Sequence, residues 1–135
     1  MATLEALETK IADERNGYTS LVQDQNNAIS ALQALKAQLN ENQMVQKEFK
    51  ILAKQHAAAA SSGEPEPAVY KLIGPVLVKQ DRAEAVINVD KRIEFIRAEI
   101  DKAENKIKQC QDKVEKKRTE IGALMQKAEK LKSPA

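Results

Sequence analysis

Two long stretches of this chain repeat apolar residues at alternating spacings of three and four, and this repeat limits the possible folds more than any other feature. The stretches run from Leu4 to Phe49 and from Val86 to Leu131. Only Lys117 is polar in the second repeat, and the polar positions of the first are Glu14, Gln25, Asn42 and Gln46. A stripe two positions in seven wide is typical of a coiled-coil seam.

Each repeat predicts a helix of about 50 residues, which is roughly 75 Å long and unstable alone in water. Aromatic residues make up 3% of the chain and charged residues 31%, so few bulky groups are available for a globular core. We therefore expect the two helices to pair as an antiparallel coiled coil, with Leu4 opposite Leu131 and Phe49 opposite Val86.

The half of the coil furthest from the chain's midpoint has the weaker predicted seam. In this register Glu14 faces Ile121 and Tyr18 faces Lys117, so we expect the outer ends to splay. The apolar residues beyond this zone either close the coil or bind apolar surface on another protein. These predicted tip residues are Met1, Leu4, Leu7, Leu124, Met125 and Leu131.

The middle of the chain changes composition twice. The segment "HAAAASSGEPEPA" contains Gly63, Pro65 and Pro67 and predicts a flexible linker. The expected organisation is one domain over 1–135, with helix 1 at 3–56, a linker at 57–67, a β-hairpin at 68–80 and helix 2 at 82–132. Asp81 is the expected N-cap of helix 2.

The hairpin prediction comes from "AVYKLI" and "VLVK", two β-forming runs separated by "GP". Gly74 suits the positive φ of the first central residue of a II′ turn, and Pro75 suits the second. Both faces of this hairpin are largely apolar. Since a lone two-stranded hairpin is marginal in water, we expect other chains to complete the sheet and the protein to be an obligate oligomer. The residues predicted to form this assembly interface are Val69, Tyr70, Leu72, Ile73, Val76, Leu77 and Val78.

No motif of the chain indicates catalysis, so we expect neither an enzyme nor a metal or other cofactor. The four glycines are isolated, and His56 with Cys110 makes a poor catalytic dyad. No apolar run is long enough for a bilayer, and a single cysteine fits a reducing compartment. A cytoplasmic protein is the expectation.

The central residues carry a family resemblance. "VYKLIGPVLVKQD" at 69–81, followed by "AVINVDKRIEFIRAEI" at 85–100, resembles the β-type subunits of prefoldin. The resemblance implies a mainly α fold in which a coiled-coil hairpin carries a central β-hairpin that joins an intermolecular β-barrel. It implies a hetero-hexamer with other prefoldin subunits, which captures unfolded proteins such as actin and tubulin at the coiled-coil tips, without ATP, and delivers them to the cytosolic chaperonin. No nucleic-acid or membrane partner is implied.

Two other interpretations stay open at this stage. A structural spacer or tether would use the length of the coil and the hairpin, but not the tips. An RNA-binding arm would use Lys116, Lys117 and Arg118, although acidic residues interrupt this run on both sides and favour a solvated helix face.

Overall fold

The computed structural model describes residues 3–63, 65 and 67–132, and within them the chain forms two helices and two strands. In chain order the elements are α1 (Leu4–Ser62), β1 (Val69–Ile73), β2 (Val76–Gln80) and α2 (Arg82–Lys132). The predicted fold class, mainly helical with a two-stranded antiparallel sheet between two long helices, is confirmed.

Both helices begin at a capping residue. The Ala6 N–H donates to Thr3 Oγ1 at 3.1 Å, and the Leu7 N–H donates to the Thr3 carbonyl at 3.0 Å. At α2, the Ala85 N–H donates to the Asp81 carbonyl at 2.9 Å. Lys130 and Lys132 lie in the last turn of α2, where positive charge interacts favourably with the helix dipole.

The predicted end of the first helix at residue 56 is wrong, because α1 continues through Ser62. The four alanines after His56 have the highest helix propensity of any residue, and this preference extends the helix where a linker was expected. Gly63 then ends it: its φ is +77°, and its N–H donates to the Ala59 carbonyl at 2.9 Å. This is the left-handed C-terminal cap that glycine favours.

The hairpin turn has the predicted geometry. Ile73 pairs with Val76, which leaves Gly74 and Pro75 as a two-residue loop. Gly74 has a φ of +57°, while the proline φ is restricted to negative values. This combination belongs to a II′ turn, whose twist matches that of the two strands.

The contacts within the chain divide it into two compact units. The first contains the described residues up to Gln33 and from Asp101 onward. Within it α1 and α2 run antiparallel, since Glu8 Oε1 lies 3.6 Å from Lys132 Nζ and Tyr18 OH lies 3.4 Å from Arg118 Nη2. Its buried apolar residues are Leu7, Ile11, Ala28, Cys110, Val114 and Ala128.

The second unit, Ala34–Ile100, contains the strands and the helical segments beside them. Gln46 Nε2 donates to Asp90 Oδ1 at 3.0 Å between the two helices. Its buried residues are Ala59, Val89, Ile93, Ile96 and Ile100. Apart from Ala59, every buried residue in either unit occupies a predicted seam position, so the coiled-coil periodicity is confirmed.

The predicted register is close to the observed one. Tyr18, expected opposite Lys117, contacts the adjacent Arg118, and Phe49, expected opposite Val86, shares a groove with Ala85 and Val89. The observed pairing therefore lies within one heptad of the predicted register. Within the described part of the chain, neither helix has a segment apolar enough to cross a bilayer.

Candidate functional site

The central hairpin exposes nearly all of its apolar side chains. Leu72 is 67% exposed and Leu77 is 64% exposed, although leucine side chains are more often buried than exposed in folded proteins. Val69, next to the linker, is half-buried. The other predicted assembly residues are also exposed: Tyr70, Ile73, Val76 and Val78.

The exposed residues lie on both faces of the sheet. Leu72 pairs with Leu77 on one face, and Ile73 pairs with Val76 on the other. In the described part of the chain the sheet has only these two strands, so each strand also has an edge without a backbone partner. The hairpin therefore offers other chains two apolar faces and two edges for strand pairing.

One end of the hairpin lies beside the helices of its unit. A groove beside it is lined by residues of α1, β1 and α2, including Phe49, Val69, Val89 and Arg92. A second groove contains Arg82 and His56, and His56 is half-buried. The strand residues at the hairpin base are half-buried, whereas those next to the turn are exposed.

The predicted tip residues are only partly accessible. Leu7 is buried, and Leu4 and Leu124 are half-buried. Met125 is 45% exposed and Leu131 is 54% exposed. Met1 lies outside the described residues.

The expected splaying of the outer ends is wrong for the described residues, because Leu7, Ile11 and Ala128 remain buried beyond the weak zone. Two charged residues of this zone form an ion pair instead. Lys117 Nζ lies 2.8 Å from Glu14 Oε2, an atom that is shielded from solvent. A cross-seam ion pair thus replaces the mismatch expected between Glu14 and Ile121.

Gly17 provides the space for this ion pair. A Cβ atom at position 17 would lie 3.1 Å from Lys117 Cε, which is closer than most such contacts. Because glycine has no side chain, Lys117 can cross the seam beside α1 and reach Glu14. Sequence periodicity did not identify this role, although opposite charges near facing positions were a usable signal.

The ion pair shifts the pKa of both partners. Hydrogen bonding with Lys117 is the main cause that lowers the pKa of Glu14 below its ordinary value of 4.5, against the opposing effect of partial burial. The same contact raises the pKa of Lys117 above 10.5, again against partial burial. Both charged forms are therefore favoured in the folded protein.

We expect Glu14→Gln to lower the melting temperature at neutral pH, because Lys117 loses its charged partner in the seam. A lowered carboxyl pKa stabilises the fold fully above the unfolded value of 4.5, and this contribution disappears as the pH falls through the folded value. The raised pKa of Lys117 makes its contribution complete below 10.5, and that contribution disappears only at higher pH. The difference in melting temperature between the variant and the unchanged protein should therefore be constant near neutrality and shrink below pH 4.5.

Thermal unfolding followed by circular dichroism over this pH range measures the effect. Glu104→Gln is the matched control, since it removes the same charge from an exposed position of the same unit. If the melting-temperature difference for Glu14→Gln stays constant down to about pH 3, the stabilisation does not come from the ionised carboxylate of Glu14.

The basic run at 116–118 is partly occupied by contacts within the chain. Lys117 pairs with Glu14, and Arg118 donates to Tyr18 OH and lies 3.7 Å from Glu115 Oε2. These contacts reduce the positive charge available for phosphate groups. They favour a solvated helix face over an RNA-binding patch.

Comparison with known proteins agrees with this architecture. The prefoldin subunit family matches residues 12–128. The chain is 33% identical to prefoldin subunit 6 of Mus musculus over 133 residues, which covers 96% of each chain. It is 39% identical to prefoldin subunit 6 of Saccharomyces cerevisiae over 104 residues, which covers 77% of this chain and 82% of the yeast protein.

A solved structure gives the same picture for the fold. The crystal structure of the prefoldin beta subunit from Thermococcus strain KS-1 aligns with a TM-score of 0.66, covering 93% of this chain and 95% of that chain. The two sequences are 18% identical, so this similarity concerns the fold alone. The family match and the extent of the sequence identity together confirm the resemblance predicted from the central residues. The chain belongs to the prefoldin subunit family.

Proposed function

We propose that this chain assembles with other prefoldin subunits into a hetero-hexamer in which its hairpin contributes two strands to an intermolecular β-barrel. Family membership supports a co-chaperone role in general terms. The observation that carries the assembly role is the exposure of apolar side chains on both faces of a two-stranded sheet. Neighbouring strands would cover these faces and complete the edges.

The helix ends supply the second part of the function. Met125 and Leu131 keep accessible apolar surface at the end of the coil, while Leu7 lies between the helices. These surfaces would hold exposed apolar segments of unfolded proteins, with actin and tubulin as the expected clients. Several weakly binding arms would give avidity without a nucleotide-driven step, and the assembly would pass its client to the cytosolic chaperonin.

One observation favours the alternative function, a structural spacer. The burial of Leu7, Ile11 and Ala128 keeps the two helices together at this end, as a spacer would need. A spacer makes no use of Met125 or Leu131, and this difference separates the two functions.

We expect the double substitution Met125→Ser and Leu131→Ser to weaken client binding by this chain in the assembled complex. Both side chains are exposed, so the coil should remain folded. The readout is crosslinking of a denatured client to this chain, together with suppression of client aggregation by the complex. Met44→Ser with Ile51→Ser is the control, because it removes apolar side chains of similar exposure from the other unit. Unchanged crosslinking in the tip variant would support the spacer.

A further inference from the structure

The two sides of the coil at its outer end carry different charges. On one side, a groove encloses about 480 Å³ between α1 and α2. We call it the lysine groove. Its apolar residues are Ala6, Leu7, Leu124 and Leu131, and its charged residues are Lys10, Lys127 and Lys130.

The other side of the same helix pair has a mixed-charge groove of about 300 Å³. Its charged residues are Glu8, Arg15, Glu129 and Lys132. Some of these groups already have partners within the groove: Glu8 Oε1 lies 3.6 Å from Lys132 Nζ, and Arg15 Nη2 donates to Met125 Sδ at 3.6 Å. The mixed-charge groove is thus close to electrical balance.

The lysine groove lacks such balance. All three of its charged residues are basic and exposed. Lys10 contributes to the field at Glu14, but among the described residues neither Lys127 nor Lys130 forms an ion pair. An apolar floor with a positive rim is complementary to an apolar side chain that has carboxylates beside it.

We propose that the lysine groove selects unfolded client segments in which an apolar side chain is flanked by Asp or Glu. This inference rests on the proposed binding of clients at the coil end and adds a charge preference to it. The apolar side chain would lie over Leu7, Leu124 and Leu131, in a volume within the usual range for ligand sites. The flanking carboxylates would face Lys10, Lys127 and Lys130 at the solvent-exposed rim.

Two peptides with the same apolar centre test the preference, one flanked by Glu and the other by Lys. Each carries a photoreactive group, and mass spectrometry measures labelling of this chain within the assembled complex. We expect about tenfold stronger labelling by the Glu-flanked peptide at low salt, since each exposed charge pair contributes a modest amount and three lysines act together. The preference should fade as the salt concentration approaches about 1 M, where the screening length falls to about 3 Å.

Charge reversal in the groove provides the matched variant. Lys127→Glu with Lys130→Glu should reverse the preference toward the Lys-flanked peptide. Lys106→Glu with Lys108→Glu makes the same change in net charge at exposed positions of the same unit, and it should leave the preference unchanged. The salt titration of the unchanged complex tests the charge preference even if the charge-reversed variant does not assemble.

The outcomes separate this inference from the function on which it rests. Equal labelling by both peptides at low salt would overturn the charge preference and leave client binding at the coil end intact. Labelling by neither peptide would overturn both. If the Lys106 and Lys108 variant also reverses the preference, the preference arises from the net charge of the complex and not from the lysine groove.

Discussion

We expect the double substitution Leu72→Asp and Leu77→Asp to prevent this chain from assembling with other prefoldin subunits while both helices remain folded. The two leucines are direct cross-strand partners on one face of the hairpin, and they are about two-thirds exposed in the isolated chain. In an assembled sheet they would be buried, where an unpaired carboxylate costs several kcal/mol. A loss of about 3 kcal/mol lowers affinity more than a hundredfold.

Mass measurement of the complex formed by co-expressed subunits gives the result directly. Circular dichroism of the isolated variant reports whether α1 and α2 are intact. Met44→Asp is the control, since Met44 is 59% exposed but belongs to α1 rather than to the hairpin. A hexamer of normal mass that contains the doubly substituted chain would disprove assembly through this face.

The sequence predicted the fold well because its repeat reports directly on burial. Seam positions such as Ile93, Ile96 and Val114 were identified from spacing alone, and all are buried. The hairpin was equally predictable, since Gly74 and Pro75 permit few turn types and β-forming residues flank them on both sides. In both cases, local residue preference and long-range packing agree.

Spacing could not predict what polar residues do within the seam. Glu14 and Lys117 each interrupt an apolar repeat and therefore looked like defects, whereas together they form one contact across the coil. That contact also depends on Gly17, which periodicity treats as an unremarkable position. The end of α1 differs from the prediction because the alanines after His56 continue the helix as far as Gly63, whose positive φ ends it.

The sequence alone also did not predict the charge asymmetry at the coil end. Lys10 is far from Lys127 and Lys130 in the chain, and it comes close to them only because the helices pair in this register. Lysines flanking the seam near both ends of the chain were the available signal. They become informative only once the pairing of the two helices is known.

We expect Ile96→Ala to destabilise the second unit by about 2–4 kcal/mol, whereas Phe95→Ala changes stability by less than about 0.5 kcal/mol. Ile96 is 4% exposed and packs in the seam, while its neighbour Phe95 is 65% exposed on the outer surface of the same helix. Truncation of Ile96 loses buried apolar contacts and leaves a cavity, but truncation of the larger Phe95 removes surface that water already reaches.

The two substitutions form a matched pair, because they lie one residue apart in α2 and both end in alanine. Urea unfolding followed by circular dichroism measures each effect, and both variants should keep the helical content of the unchanged protein before unfolding. A larger loss for Phe95→Ala in the isolated chain would contradict the placement of the seam. If Phe95→Ala lowers stability only in the assembled complex, a partner covers this side chain. An exposed aromatic side chain contributes to stability only where another surface buries it.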